Sequence, residues 1–232
     1  MVKYQMNTVD YKSFPDEGSG RFVDLAPSVK ADGRKAIGFD TGMRKRVEVV
    51  KSGAPEEVRS SWWDCGFWTA DGVLRSSDGS GEIVYDSEHL RNINVQSELS
   101  HNGGLVLRNR GISGLNGILF TSKEVEKYGN KLNTRRQAKN NPFLRTLARE
   151  NQDLLNEYVD LTFDIAKKNW NLTELMAVHF PNAENVITLR PWWLAKLDFN
   201  IENSSACGYI RLDGYGRVVG VGTKSLEAIV IK

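Results

Sequence analysis

Cysteine is scarce: the chain of 232 residues has two, Cys65 and Cys207. Two thiols make neither a disulfide framework nor a four-cysteine metal site, and in a reducing compartment they read as small buried apolar residues. Long apolar runs are also missing. A spanning helix needs about 18 or more consecutive apolar residues, and no such stretch occurs. The first residues, to Asp24, mix charges with isolated apolar side chains, so no secretory leader is expected. His89, His101 and His179 form no His-x-His or His-Glu-x-x-His pattern, and neither a serine nucleophile elbow nor a Walker loop is present. These absences leave no catalytic residue, metal or cofactor to nominate. The expectation is a cytoplasmic, membrane-free protein without a catalytic centre.

What remains is ordinary for a globular chain: 40% apolar, 26% charged and 9% aromatic residues. The length suits one domain over 1–232, with a β-rich part (1–103), a basic and helical part (104–170) and a helix-plus-β part (171–232). Asp32-Gly33, Asp71-Gly72 and Asp78-Gly79 are hairpin signals, because a type I′ turn requires positive φ at both central residues. Between them, strands are expected at 35–39, 46–51, 62–69, 73–76 and 82–85, with Ser87 capping a short helix. Ser122 and Asn141-Pro142 read as helix starts and Gly129 as a stop. Leu144, Leu147, Leu154, Tyr158, Leu161 and Ile165 recur at helical spacing and predict a long amphipathic helix near 142–168. A shorter helix over 173–180, an extended stretch through Trp192-Trp193, a hairpin at Asp213-Gly214 and a strand over 226–231 follow. The fold class is α+β, with segregated strands and helices.

Charge is uneven. The overall +2 hides a net −3 over 1–103, +7 over 104–150 and −2 over the remainder. Arg135, Arg136 and Lys139 precede the predicted long helix, and Arg145 and Arg149 fall in its first turns, where the macrodipole disfavours cations. A phosphate shared by those side chains and the helix N-terminus would reconcile them. The acidic stripe Asp153, Glu157, Asp160 and Asp164 lies further along and reads as a solvated face.

The sequence also echoes itself. Cys65-Gly66-Phe67 to Arg75 and Cys207-Gly208-Tyr209 to Arg217 align at a constant offset, each preceded by a tryptophan pair and each carrying Asp-Gly and then Arg. Taken at face value, two like hairpins would offer Arg75 and Arg217 to one ligand. On strands, one tryptophan of each pair would face away from the core. Lys30-Ala31-Asp32-Gly33 resembles the lysine motif of covalent nucleotidyltransferases such as DNA and RNA ligases over four residues; the bare chemistry of those residues reads as a turn. Leu172–Phe180 followed by residues 184–190 and a closing hairpin admit a winged-helix reading with Asp213-Gly214 at the wing tip.

The resulting expectation is a non-catalytic nucleic-acid-binding protein, DNA or RNA, contacting phosphates through Arg135, Arg136, Lys139, Arg145 and Arg149, with Arg75 and Arg217 in support. An acidic protein surface is the other partner that the basic segment would suit. Two further expectations stand beside it. One is a structural or assembly protein of a viral or phage particle, forming homo-oligomers within a virion. The other is a metal-dependent nuclease or hydrolase using the acidic stripe or Asp32, Asp71 and Asp213.

Overall fold

The computed structural model describes residues 10–108, 117–197 and 204–222. Among them, eight helices flank a mixed sheet of ten strands, so the α+β class holds. The axis is the strand Phe67–Arg75, all nine of whose residues are buried. Alternation sends Phe67 and Val73 into one core and Trp68 and Leu74 into the other. The first core is roofed by helices Phe39–Lys51, Glu56–Trp63, Pro142–Leu147 and Gln152–Trp170; the second by helix Phe22–Ala31 and the turn Glu88–Arg91. A strand buried on both faces is a continuous apolar run rather than an alternating one.

Along one side the axis pairs antiparallel with Thr188–Leu194. Its early residue Trp68 meets Val218 in parallel, whereas Gly72–Arg75 pair antiparallel with Gly81–Val84. The first described strand, Tyr11–Phe14, lies antiparallel to Val218–Val221 of the last, and Gly222 N–H donates to Asp10 O at 2.9 Å.

Several local expectations hold. Asp78-Gly79 turns the hairpin between Phe67–Arg75 and Gly81–Val84, with Gly79 at φ +82°. Ser87 caps Glu88–Arg91, and Asn141 caps Pro142–Leu147 by accepting from Phe143 and Leu144 N–H. Thr121, one residue before the expected Ser122, starts the helix that Gly129 ends, in a capping box with Glu124.

Others are corrected. Asp71-Gly72 is no turn but the buried middle of the axial strand. The valine-rich stretch 46–51 belongs to helix Phe39–Lys51, because Phe39, Met43, Arg46 and Val47 fall on one buried face and tertiary burial overrides β-propensity. Trp62 and Trp63 end a helix that starts after Pro55 with Glu56 and Glu57 in its first turn, so both rings enter the core instead of opposite faces of a sheet. The long helix is two. Arg149 and Glu150 adopt φ +57°, left-handed for both, and Asn151 caps a fresh start at Gln152. Residues 173–180 form no helix but two short strands, Glu174–Leu175 and Val178–His179, which removes the winged helix. Asp213-Gly214 is a turn, yet Tyr215–Gly216 pairs with Gly20–Arg21 rather than closing a hairpin. Lys30 to Gly33 is a helix end and turn, as the four residues alone suggested, but Asp32-Gly33 closes no hairpin: it joins helix Phe22–Ala31 to strand Arg34–Ala36. The strand expected over 226–231 lies outside the described residues.

The echo has a packing meaning. A Cβ on Gly66 would sit 2.4 Å from the Trp193 indole, and one on Gly208 would sit 2.6 Å from Val73 Cγ1 and 3.1 Å from Trp192. Each Cys-Gly pair thus lets one indole of Trp192-Trp193 lie on bare backbone. Gly66→Ala is expected to cost about 1–3 kcal/mol by overpacking, read as a lowered urea midpoint with unchanged slope; a midpoint within error of the parent contradicts this contact.

Candidate recognition platform

The basic residues singled out in the sequence are scattered by the fold and, Arg136 apart, occupied. Arg135 pairs with Asp160 at 3.4 Å and with Asp164, and Lys139 pairs with Asp160 at 2.6 Å, so the acidic stripe and the upstream cations neutralise each other. Arg145 pairs with Glu150 at 2.7 Å. Arg136 is exposed, on the helix Arg135–Lys139. Arg75 is buried against Phe120 and Phe180 and donates to Gly79 O. Arg217 is buried over Phe67 and donates to Gly66 O at 3.0 Å and Ser61 O at 2.6 Å. The two echo arginines therefore share no ligand. The acids named for metal chemistry are committed as well: Asp32 to Lys12 and Arg34, Asp71 to Arg149, Asp213 to Arg211. Among the described residues no group of three or more His, Cys, Asp or Glu side chains gathers to hold a metal ion.

Arg149 leads to a node that the sequence did not reveal. Its Nη2 lies 2.7 Å from Asp71 Oδ1 and its Nε 3.6 Å from Asp40, while its guanidinium sits 3.8 Å above the Tyr85 ring. Asp71 also accepts from Phe39 N–H at 2.7 Å and Asp86 N–H at 2.9 Å. It falls between Trp68, paired with Val218, and Gly72, paired with Val84, where the backbone partners of the axial strand change. Burial pushes the Asp71 carboxyl up to about 6, against the downward pull of Arg149 and the two N–H groups. Burial likewise raises the Tyr85 phenol to about 12. This node braces a helix start and two loops; it is structural.

A second arrangement presents side chains to solvent. The loops 98–108, 183–187 and 208–214 are laced by backbone hydrogen bonds: Val106 N–H to Glu98 O at 3.0 Å, Leu107 N–H to Ile187 O at 3.1 Å, Leu212 N–H to Gly103 O at 2.9 Å. Gly103 takes φ +75° and a Cβ there would strike Asp213 and Arg211, so the loops touch backbone to side chain with no slack. Beneath them Arg190 donates to Tyr209 O at 3.0 Å and to Glu184 Oε1 at 2.8 Å, an ion pair with both side chains under 10% exposed. Arg211 spans the loops above, from His101 O at 2.9 Å to Asp213 at 2.7 Å. The 98–108 and 183–186 loops enclose an open concavity of about 530 Å³. Val186 and Tyr209 stand exposed on these loops, with Tyr215 at the margin. Tyr209 rests edge-on against His179, which burial holds below its ordinary pKa.

Breaking the Arg190–Glu184 pair from one side leaves a buried charge uncompensated. Glu184→Leu is expected to destabilise by about 3–5 kcal/mol; the check is chemical denaturation, and a loss under about 1 kcal/mol would show that the platform does not depend on this brace.

No helix among the described residues is long and apolar enough to cross a membrane. No protein-family model matches the sequence, and no curated protein does. Among solved structures, the chain is similar to one described as "Accommodation of massive sequence variation in Nanoarchaeota by the C-type lectin fold", over 94% of this chain and 100% of that one, with a TM-score of 0.64 and 14% identity. At that identity the likeness shows the fold alone. It overturns the nucleic-acid reading together with its DNA- and RNA-binding corollaries, since the architecture is that of a C-type lectin fold and the cations meant for phosphates are mostly spent inside the molecule. Trp62, Trp63, Trp68 and Trp192 lie in the core rather than on the surface, and Glu157, Asp160 and Asp164 of the acidic stripe are ion-paired.

Proposed function

We propose that this C-type lectin-like chain is a non-catalytic recognition module that holds a partner protein on the platform of the 98–108, 183–187 and 208–214 loops. The observation that carries the reading is the separation of roles. Rigidity comes from backbone lacing and from the buried Arg190–Glu184 pair, whereas His101, Asn102, Asn185, Val186, Tyr209 and Tyr215 face outward. Tyrosine and asparagine on braced loops give contact area and adaptable hydrogen bonds at low entropic cost, the composition that binding loops favour. The C-type lectin fold of the similar structure is described as accommodating massive sequence variation in Nanoarchaeota, and a scaffold of that kind suits a surface whose residues change while its core does not.

The test is a displayed library randomised at those six positions. Members are expected to fold, with melting temperatures within about 5 °C of the parent, and selection against arbitrary protein targets is expected to yield binders whose affinity maps to the randomised residues. A library that mostly fails to fold, or one that yields no binders, refutes the assignment.

A further inference from the structure

Away from the platform, helix Phe22–Ala31, strand Arg34–Ala36 and the turn Glu88–Arg91 surround a cavity of about 320 Å³. Its wall is apolar, formed by Phe22, Ala26, Val29, Ala36, Ala70 and Leu90. Its rim is cationic. Lys30, Arg34, Lys35 and Arg91 line it, against Glu88 as the one acid of the lining. Two of these cations have acidic partners: Arg34 pairs with Asp32 at 2.8 Å, and Arg91 with Asp86. Lys30 donates to a neutral acceptor, Asn92 Oδ1, at 2.8 Å, and Lys35 has no ion pair among the described residues. An apolar hollow under two ammonium groups that no carboxylate pairs with among the described residues is complementary to a molecule with an apolar body and one negative end.

We propose that this cavity binds a small amphipathic carboxylate, such as a short acyl chain, with the chain against Phe22, Val29 and Leu90 and the carboxylate between Lys30 and Lys35. The volume lies at the lower end of the range for ligand pockets, which favours a chain of medium length over a long lipid. Burial of the chain supplies affinity, and the lysines distinguish an acid from the corresponding alcohol.

The test is titration calorimetry of the full chain with octanoate, 1-octanol and octylamine at low and moderate salt. Octanoate is expected to bind at least about tenfold more tightly than octanol, with the preference shrinking as salt screens the lysines, and octylamine is expected not to bind. Lys30→Glu/Lys35→Glu, both at exposed positions, should abolish the preference for the acid, and Ala36→Leu should weaken octanoate and octanol alike by filling the hollow. Amide shifts in the parent protein provide a check that needs no variant: octanoate should move residues 22–36 and 88–92. Equal binding of acid and alcohol, shifts elsewhere in the molecule, or no binding of octanoate at millimolar concentration each overturns the proposal.

Discussion

Arg46→Met is expected to lower the stability of the protein by about 3–5 kcal/mol, a fall in melting temperature of roughly 6–20 °C for a chain of this size. Arg46 is fully buried, and among the described residues no carboxylate pairs with it. Its guanidinium instead donates to Trp62 O at 2.7 Å, Ala195 O at 2.8 Å, Cys65 O at 3.1 Å, Tyr158 Oη at 3.0 Å and Ser204 Oγ at 3.2 Å. Two of these carbonyls belong to the end of helix Glu56–Trp63 and the turn after it, where Arg217 also donates to Ser61 and Gly66. The negative helix end therefore supplies the compensation that a carboxylate would. Each of the two guanidinium groups lies 5.6 Å from the centre of the Phe67 ring. A methionine of similar length fills the space and satisfies none of the acceptors. Arg46→Lys keeps the charge but offers only three donors, all on one nitrogen, to five acceptors spread around a guanidinium, so it is expected to be nearly as damaging. Chemical denaturation decides, and a loss under about 1 kcal/mol would mean that water replaces the guanidinium.

The second large effect is expected at Asp71. Its carboxyl titrates at about 6 in the folded protein against an ordinary 3.8. Between those values the folded state holds more protons than the unfolded one, so this group's contribution is fully present below 3.8 and declines as pH rises toward about 6. Arg149→Ala removes the main downward pull on that carboxyl and should move its titration above 6, which carboxyl carbon NMR reads directly. Asp71→Asn places an amide N–H₂ against a backbone N–H that now meets an oxygen. It should cost about 1–3 kcal/mol near neutral pH and flatten the stability profile between pH 4 and 6. An unchanged Asp71 titration in Arg149→Ala would show that the ion pair is not formed in solution.

The fold class and several helix boundaries were legible because they are written locally. Asn141 before Pro142, Ser87 before Glu88 and Gly129 at a helix end each act through a hydrogen bond or a φ angle within a few residues. Asp71-Gly72 was misread because a turn dipeptide carries no mark of being roofed by helices on both faces. The basic segment misled for a related reason. Charge counted along the chain could not show that Asp160 and Asp164 would come back beside Arg135 and Lys139, or that Arg149 would reach Asp71 in another strand. The platform was least visible, since its first loop lies 75 or more residues before the other two and the three are joined mainly through backbone groups. Asn102-Gly103 and the exposed Tyr209 and Tyr215 were the signals available for it.

The pairing of Tyr11–Phe14 with Val218–Val221 sets a timetable for synthesis. Trp68, Ile37 and Phe14 all depend on the 217–221 segment for backbone partners, so the sheet stays open at its middle until almost the whole described chain has emerged. Contacts of that span make folding slow relative to chains with local pairing. Until then the edges of Phe67–Arg75 and Tyr11–Phe14 are exposed strands seeking partners. A nascent chain halted before residue 217 should therefore be protease-sensitive and prone to capture by chaperones, and release of the strand Val218–Gly222 should convert it in one cooperative step.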